Sequence, residues 1–175
     1  MPHVALLVGS ASDIPRVAPC LEELQALGIS CEQRVLSAHR TPAELAAYVR
    51  EAEARGVRLF VAAAGLSAAL PGAVAAQTVR PVVGLPLAAG PLGGWDALLS
   101  VVQMPPGVPV AAVGVDAARN AAFLAASILA LEEPELAERL RRRRQEQAAA
   151  VLEADRRWRG EAAAGAPPAG AGGGR

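Results

Sequence analysis

Residues 58–64 read RLFVAAA, an almost wholly apolar run of strand length that ends at Gly65. A short run without polar interruption is typical of a strand that is buried on both faces of a parallel sheet. Similar strand candidates occur elsewhere in the chain, at His3–Val8, Ile29–Leu36, Pro81–Leu85 and Val108–Val113. The pattern therefore predicts an α/β fold in which helices cover both faces of a parallel sheet.

Segments of helical length separate these strands. They lie at residues 13–27, 41–55, 69–78, 93–102, 117–131 and 134–158. Gly28 is predicted to be the C-cap of the first helix. Thr41, Pro42 and Glu44 are predicted to open the second helix as N-cap, first helical residue and capping-box partner. The alternation predicts a three-layer αβα domain with right-handed crossovers and a long C-terminal helix.

The domain organisation is simple. A length of 175 residues suits one α/β domain, which we place at residues 1–159. Residues 160–175 are rich in Gly, Ala and Pro and have almost nothing to bury. We expect them to form a flexible tail.

Charge and composition exclude several classes of function. The chain has 17 basic and 17 acidic residues, so its net charge draws it neither to nucleic acid nor to a membrane. Every basic residue is Arg, which excludes chemistry on a lysine amine. Glutamates dilute the arginine-rich segment 134–158, which we interpret as a solvated or subunit-packing face and not as a nucleic-acid surface.

Targeting and metal signals are weak. The N-terminal Met1-Pro2-His3 enters a strand without a basic signal region, and no uninterrupted apolar run reaches the roughly 18 residues of a membrane span. We expect a cytoplasmic protein. Cys20 and Cys31 have neither CxxC spacing nor a nearby His, so we expect buried structural thiols and no metal site.

Ligands of parallel sheets bind at the carboxyl ends of the strands. The loop after the first strand contains Gly9, Ser10, Ser12 and Asp13. Its hydroxyls and the N-terminus of the following helix predict an anion pocket suited to a phosphate, with Asp13 available to ribose hydroxyls. The alternative is that Ser12 or Asp13 only caps the helix.

The loop after the second strand reads Ser37-Ala38-His39-Arg40. His39 is the candidate for proton transfer, because histidine is the side chain that ordinarily exchanges a proton near neutral pH. The planar guanidinium of Arg40 can hold a phosphate or carboxylate. The remaining histidine, His3, begins a strand and is predicted to be structural.

The loop after the third strand, residues 63–72, consists mainly of Ala and Gly. Small residues allow a ligand to approach the backbone closely, although close packing explains them equally well. Two later segments, 81–91 and 103–109, could form a wall of the pocket or a contact between subunits.

Several stretches occur together in the order and spacing of one known family. They are GSASD at 9–13, SAHRTP at 37–42, LPG at 70–72, QMP at 103–105 and NAA at 120–122. In this joint pattern the chain resembles the PurE family of purine biosynthesis, over roughly residues 3–157. The resemblance implies a flavodoxin-like sheet, a homo-octamer with active sites between subunits, and no metal or organic cofactor.

The resemblance also implies roles for individual residues. Ser10 and Asp13 would bind a ribonucleotide, with Ser12 nearby. Arg40 would bind its phosphate, and His39 would move a proton during carboxylate transfer. The expected substrate-binding set is completed by Ser37, Ala38, Gly65, Leu66 and Ser67. The partners implied are the ribonucleotide and CO2.

Family members of one class rearrange N5-carboxyaminoimidazole ribonucleotide to the C4 carboxylate, and those of the other carboxylate aminoimidazole ribonucleotide directly with CO2. The mutase class usually has a histidine where this chain has Ala69, and GLSAALPG at 65–72 resembles the direct carboxylase class. Arg40, Pro71 and the stretch 103–105 resemble the mutase class. The leading hypothesis is a mutase. The alternatives are a direct carboxylase, a non-catalytic nucleotide-binding paralogue, and a carboxylase acting on another mononucleotide.

Overall fold

The computed structural model describes residues 3–164, with side chains through residue 160. Its strands are β1 (Val4–Val8), β2 (Cys31–Val35), β3 (Leu59–Gly65), β4 (Val82–Leu87) and β5 (Ala111–Ala112). Its helices are α1 (Ile14–Ala26), α2 (Pro42–Ala54), α3 (Ala69–Ala75), α4 (Trp95–Val102), α5 (Ala118–Leu129) and α6 (Pro134–Ala164). A 3-10 turn, Ala11–Asp13, leads into α1.

All five strands are parallel, in the order β2-β1-β3-β4-β5. This is the flavodoxin-like order, in which the direction of chain progression reverses between β1 and β3. Helices α2, α3 and α4 cover one face of the sheet, where Leu45, Val74 and Val101 join its core. Helices α1 and α5 pack together on the other face. The predicted three-layer αβα fold is confirmed.

The two outer strands are shorter than their sequence predicts. Strand β2 pairs only over Cys31–Val35, and Val35 is half exposed because the strand lies at an edge of the sheet. Strand β5 is reduced to Ala111–Ala112, because Pro109 has no N–H to donate to a ladder. The hydrophobic runs therefore predicted the positions of these two strands correctly, but the predicted strands were too long.

The predicted capping box at the start of α2 is wrong. Thr41 is the N-cap residue, but its side chain makes no capping hydrogen bond. Its hydroxyl instead accepts a hydrogen bond from the backbone N–H of Ser37 at 2.8 Å and donates one to the Ser37 carbonyl at 3.1 Å. Thr41 therefore closes the loop before α2 and leaves the first turn of that helix uncapped.

The sheet and its helices form one compact unit that ends at Ala137, and a second unit begins at Glu138 within α6. Ion pairs such as Arg143–Glu146 and Arg159–Asp155 run along this part of α6. The helix continues to Ala164, past the predicted boundary at residue 159, and the rest of the predicted tail, 165–175, lies outside the described residues. None of the described helices has the length and apolar character that crossing a bilayer requires.

Helix α4 approaches the sheet closely at Gly84 in β4. A Cβ atom there would lie 2.4 Å from Val101 Cγ1 and 2.7 Å from Val110 Cγ1. We expect Gly84→Ala to lower the free energy of unfolding in urea by about 1–3 kcal/mol, because the core would be overpacked. Gly160→Ala is the control, since a Cβ there meets nothing within 4 Å. Unchanged stability of the Gly84 variant would contradict the packing described.

The two cysteines are free, with Cys20 buried as predicted and Cys31 only partly buried. Burial raises the pKa of each thiol from 9.0 to about 12. The folded state therefore holds these protons more tightly than the unfolded state. This contribution to stability is fully present below pH 9 and is lost as the pH rises toward 12.

We therefore expect the free energy of unfolding, measured in urea, to fall steadily above pH 9. The double variant Cys20→Ala/Cys31→Ala should show a flatter decline. Burial and the Glu32 hydrogen bond also raise the pKa of Tyr48, which accounts for a remaining slope. An identical slope in the double variant and the wild type would contradict this interpretation.

Candidate active site

A cavity of about 470 Å³ lies at the carboxyl ends of β1, β2, β3 and β4. The loops after β1 and β3, the strands between which the order reverses, both line it, and this is the usual ligand position in open parallel sheets. The cavity brings together the whole set of predicted site residues: Ser10, Ser12, Asp13, Ser37, Ala38, His39, Arg40, Gly65, Leu66 and Ser67. Their roles in binding and catalysis remain predictions.

The first loop folds around the side chain of Ser10. Its Oγ accepts hydrogen bonds from Ser12 Oγ at 2.9 Å and from the Ser12 backbone N–H at 3.4 Å. Ser10 thus caps the 3-10 turn, whereas Asp13 makes no side-chain cap bond to α1. Asp13 is the N-cap residue of α1 by position, but side-chain capping by Asp13 is wrong, and Asp13 lines the cavity.

The carboxyl group of Asp13 has a raised pKa. Partial burial is the main cause. It outweighs the backbone hydrogen bond of Ser10 and the positive charges of Arg16 and Arg40, which lower this pKa. A group in this environment is a good acceptor for ligand hydroxyls, because a hydrogen bond from a ligand compensates for water lost on burial.

The second loop is closed and attached to the first. The Thr41 hydroxyl is hydrogen-bonded to the backbone N–H and the carbonyl of Ser37. The Ser37 hydroxyl accepts a hydrogen bond from the backbone N–H of Arg40 at 3.2 Å. Arg40 Nη2 donates to the carbonyl of Gly9 at 2.9 Å. This bond places a guanidinium beside the serine-rich first loop, which is the arrangement that an anionic group requires.

His39 lies in the turn formed by residues 38–40. Its imidazole lines the cavity and remains exposed to solvent. A partly open position allows a histidine to exchange protons with water and with a ligand.

The third loop forms an apolar wall. Ala64, Ala68 and Leu70 are buried there, and Ala69 lines the cavity beside them. Leu66 and Ala68 adopt left-handed backbone conformations, with φ of 54° and 34°. Such conformations are costly for residues other than Gly, and they accumulate at functional sites.

The fourth wall of the cavity is formed by the segment 81–91, one of the two segments that could have lined it. Ala89, from the segment 81–91, lines the cavity and packs on Gly65, where an added Cβ would lie 2.4 Å from the Ala89 Cβ. The segment 103–109 does not line it. Its Met104 lies instead under the third loop, 3.2 Å from the position of a Cβ on Gly72.

Sequence reasoning missed two charged residues near the cavity. Arg16 Nη1 lies 3.0 Å from both carboxylate oxygens of Asp116, across 100 residues of sequence. Asp116 Oδ1 also accepts a hydrogen bond from the Ala88 N–H at 3.2 Å. No local pattern marks such a pair, because it depends on how α1 and the start of α5 meet in the fold.

Comparison with known proteins agrees with this geometry. The family model described as AIR carboxylase matches residues 3–150. The N5-carboxyaminoimidazole ribonucleotide mutase of Pyrococcus abyssi is 47% identical over 146 residues, covering 83% of this chain and 84% of that protein. The mutase of Thermotoga maritima is 44% identical, covering 87% of this chain and 90% of that protein.

Solved structures give the same result. The crystal structure of Treponema denticola PurE superposes with a TM-score of 0.79 at 31% identity, covering 90% of this chain and 98% of that chain. A PurE2 variant from the same organism gives a TM-score of 0.83 at 30% identity, covering 89% of this chain and 97% of that chain. The fold, the loops and the sequence together place this chain in the AIR carboxylase family.

Proposed function

We propose that this chain is an N5-carboxyaminoimidazole ribonucleotide mutase, an isomerase of purine biosynthesis. The observation that carries the proposal is that the first three loops converge on one cavity, in a chain about 45% identical to relatives of that name. The substrate is a small ribonucleotide.

The phosphate end of the ribonucleotide binds between the first and second loops. Ser10 and Ser12 supply hydroxyls, and Arg40 supplies guanidinium N–H donors beside them. Asp13 accepts hydrogen bonds from the ribose hydroxyls. Ser37 and Ala38 extend the second loop along the ligand, and Gly65, Leu66 and Ser67 approach it from the third.

The apolar wall is the site for CO2. Isomerisation breaks the bond between N5 and the carboxylate carbon, holds the CO2 released, and forms a bond from C4 to that carbon. The side chains of Ala68, Ala69 and Leu70 are apolar and offer no hydrogen-bond donor to a carboxylate. Holding both fragments in one cavity keeps the second step effectively unimolecular.

His39 moves the proton that the exchange requires. Its imidazolium gives a proton to N5 as the carbamate bond breaks and CO2 leaves. The neutral imidazole then removes the proton from C4 after the new carbon–carbon bond has formed. The proton returns to His39, so the reaction is balanced without an added reactant.

A direct carboxylase is the second candidate, and one residue favours it. Ala69 occupies the place in the third loop where the mutase class usually carries a histidine. A lyase of this type would use aminoimidazole ribonucleotide and free CO2, with the same cavity and the same proton transfer by His39.

We also propose a cytoplasmic homo-octamer. An exposed apolar face on and before α4 supports self-association, because Leu92, Trp95, Leu99 and Val102 are each more than half exposed.

The decisive experiment supplies purified protein with N5-carboxyaminoimidazole ribonucleotide, or with aminoimidazole ribonucleotide and bicarbonate, and follows the C4 carboxylate. We expect conversion of the N5 carbamate without bicarbonate. If only aminoimidazole ribonucleotide with bicarbonate were converted, the carboxylase would be favoured instead. If neither substrate gave the C4 carboxylate, the mutase and the carboxylase proposals would both be overturned.

The role of His39 is tested by His39→Asn. We expect turnover to fall by about 100-fold or more, the usual loss of a general acid–base group. Binding of the ribonucleotide, measured by calorimetry, should change little. His3→Asn, at the opposite end of β1, is the control and should keep wild-type turnover. Full activity of the His39 variant would remove it from the mechanism.

Leu99→Arg tests the octamer. Light scattering should give the mass of eight chains for the wild type and a smaller assembly for the variant, because a charge would be buried at the interface. A wild type that runs as a single chain would refute the octamer.

A further inference from the structure

Asp116 is attached to the end of β4 by two polar contacts and to α1 by an ion pair with Arg16. Its backbone N–H donates to the Pro86 carbonyl at 2.9 Å, and its Oδ1 accepts from the Ala88 N–H at 3.2 Å. Both carboxylate oxygens lie 3.0 Å from Arg16 Nη1. Asp116 also adopts a left-handed conformation with φ of 54°, which Asp and Asn tolerate better than most other non-glycine residues.

The segment that Asp116 holds is the fourth wall of the cavity. Ala88 precedes Ala89, which lines the cavity and contacts Gly65. Gly90 follows with φ of 116°, and a Cβ there would lie 2.6 Å from Leu66 Cδ2. A shift of residues 88–90 would therefore be transmitted directly to the third loop, including Leu66.

Arg16 connects the same carboxylate to the first wall. It lies in the first turn of α1, directly after the loop that contains Ser10 and Asp13. Its charge also acts on Asp13, since it lowers the pKa of that carboxyl group against the effect of burial. The pair thus connects the start of α1, which follows the first loop, to the segment after β4.

We propose that Arg16 and Asp116 are a positioning pair that sets the width of the nucleotide cavity by holding residues 88–90 in register with the loop 9–13. Neither residue belongs to the described cavity lining. The pair acts through Ala88 and Asp13, and the inference rests on the proposed function for its kinetic consequences.

Exposure separates this role from simple stabilisation. Both side chains are 42% exposed. Ion pairs in such positions contribute little to stability. If the pair only stabilised the fold, its removal should change both the free energy of unfolding and the substrate affinity little. If it positions the loops, its removal should change substrate affinity more than the free energy of unfolding.

The test uses Arg16→Gln, Asp116→Asn and the double variant in the full-length protein. Asn tolerates the left-handed conformation, so backbone strain is not added. For the mutase reaction we expect each single variant to raise KM by about tenfold and to lower kcat by less than about threefold. The KM of the double variant should be no higher than that of the more impaired single variant, because both substitutions break the same interaction. Arg16→Lys should restore much of the loss.

The matched control is Arg80→Ala. Arg80 Nε pairs with Glu53 at 3.4 Å and is 46% exposed, but it lies away from the cavity. We expect wild-type KM and kcat. If Arg16 and Asp116 variants also keep the wild-type KM, or if their KM effects add, the positioning role is overturned.

A second readout needs no substrate. Hydrogen exchange followed by mass spectrometry should be faster in peptides covering 86–92 and 9–16 of the Asp116→Asn protein, and unchanged in peptides from β3. If the wild type shows no turnover, the proposed function fails, but the hydrogen-exchange result still tests whether Arg16 and Asp116 position the loops. Unchanged exchange in both loop peptides would overturn it.

Discussion

The parallel register of β3 between β1 and β4 is the constraint on which the site depends. Val8 pairs with Ala63, and Gly65 pairs with Leu87, so β3 and β4 end at one level, two residues beyond the end of β1. The loops that follow these strands line one cavity. Small side chains at the end of β3 and a small residue at Ala89 allow these loops to approach. A larger residue at Gly65 would push the third loop away from the segment that contains Ala89.

Polar contacts then connect the loops that the sheet brings together. The Arg40 bond to Gly9 joins the second loop to the first, and the Asp116 contacts join Arg16 in α1 to the segment after β4. Each contact uses a side chain outside regular strands, where loops can differ between relatives while the sheet stays the same. The apolar third loop is held differently, by packing and by the left-handed residues Leu66 and Ala68.

Sequence patterns predicted the fold and the identity of the cavity loops, because buried strands and carboxyl-end loops have strong local signatures. They failed where the outcome depended on a distant neighbour. Thr41 has the sequence of a capping residue, yet its hydroxyl is used by Ser37. Pro109 shortens β5 within an apolar run. Arg16 and Asp116 could not be paired from sequence, since 100 residues separate them.

The bond between Arg40 and the Gly9 carbonyl has a consequence for ligand affinity. A free arginine side chain loses up to about 2 kcal/mol of rotamer entropy when a ligand immobilises it. Here that ordering has already occurred during folding, at the expense of the stability of the empty protein. On the proposed assignment of Arg40, an arriving phosphate would meet a preorganised guanidinium, and more of the interaction energy would be retained as affinity.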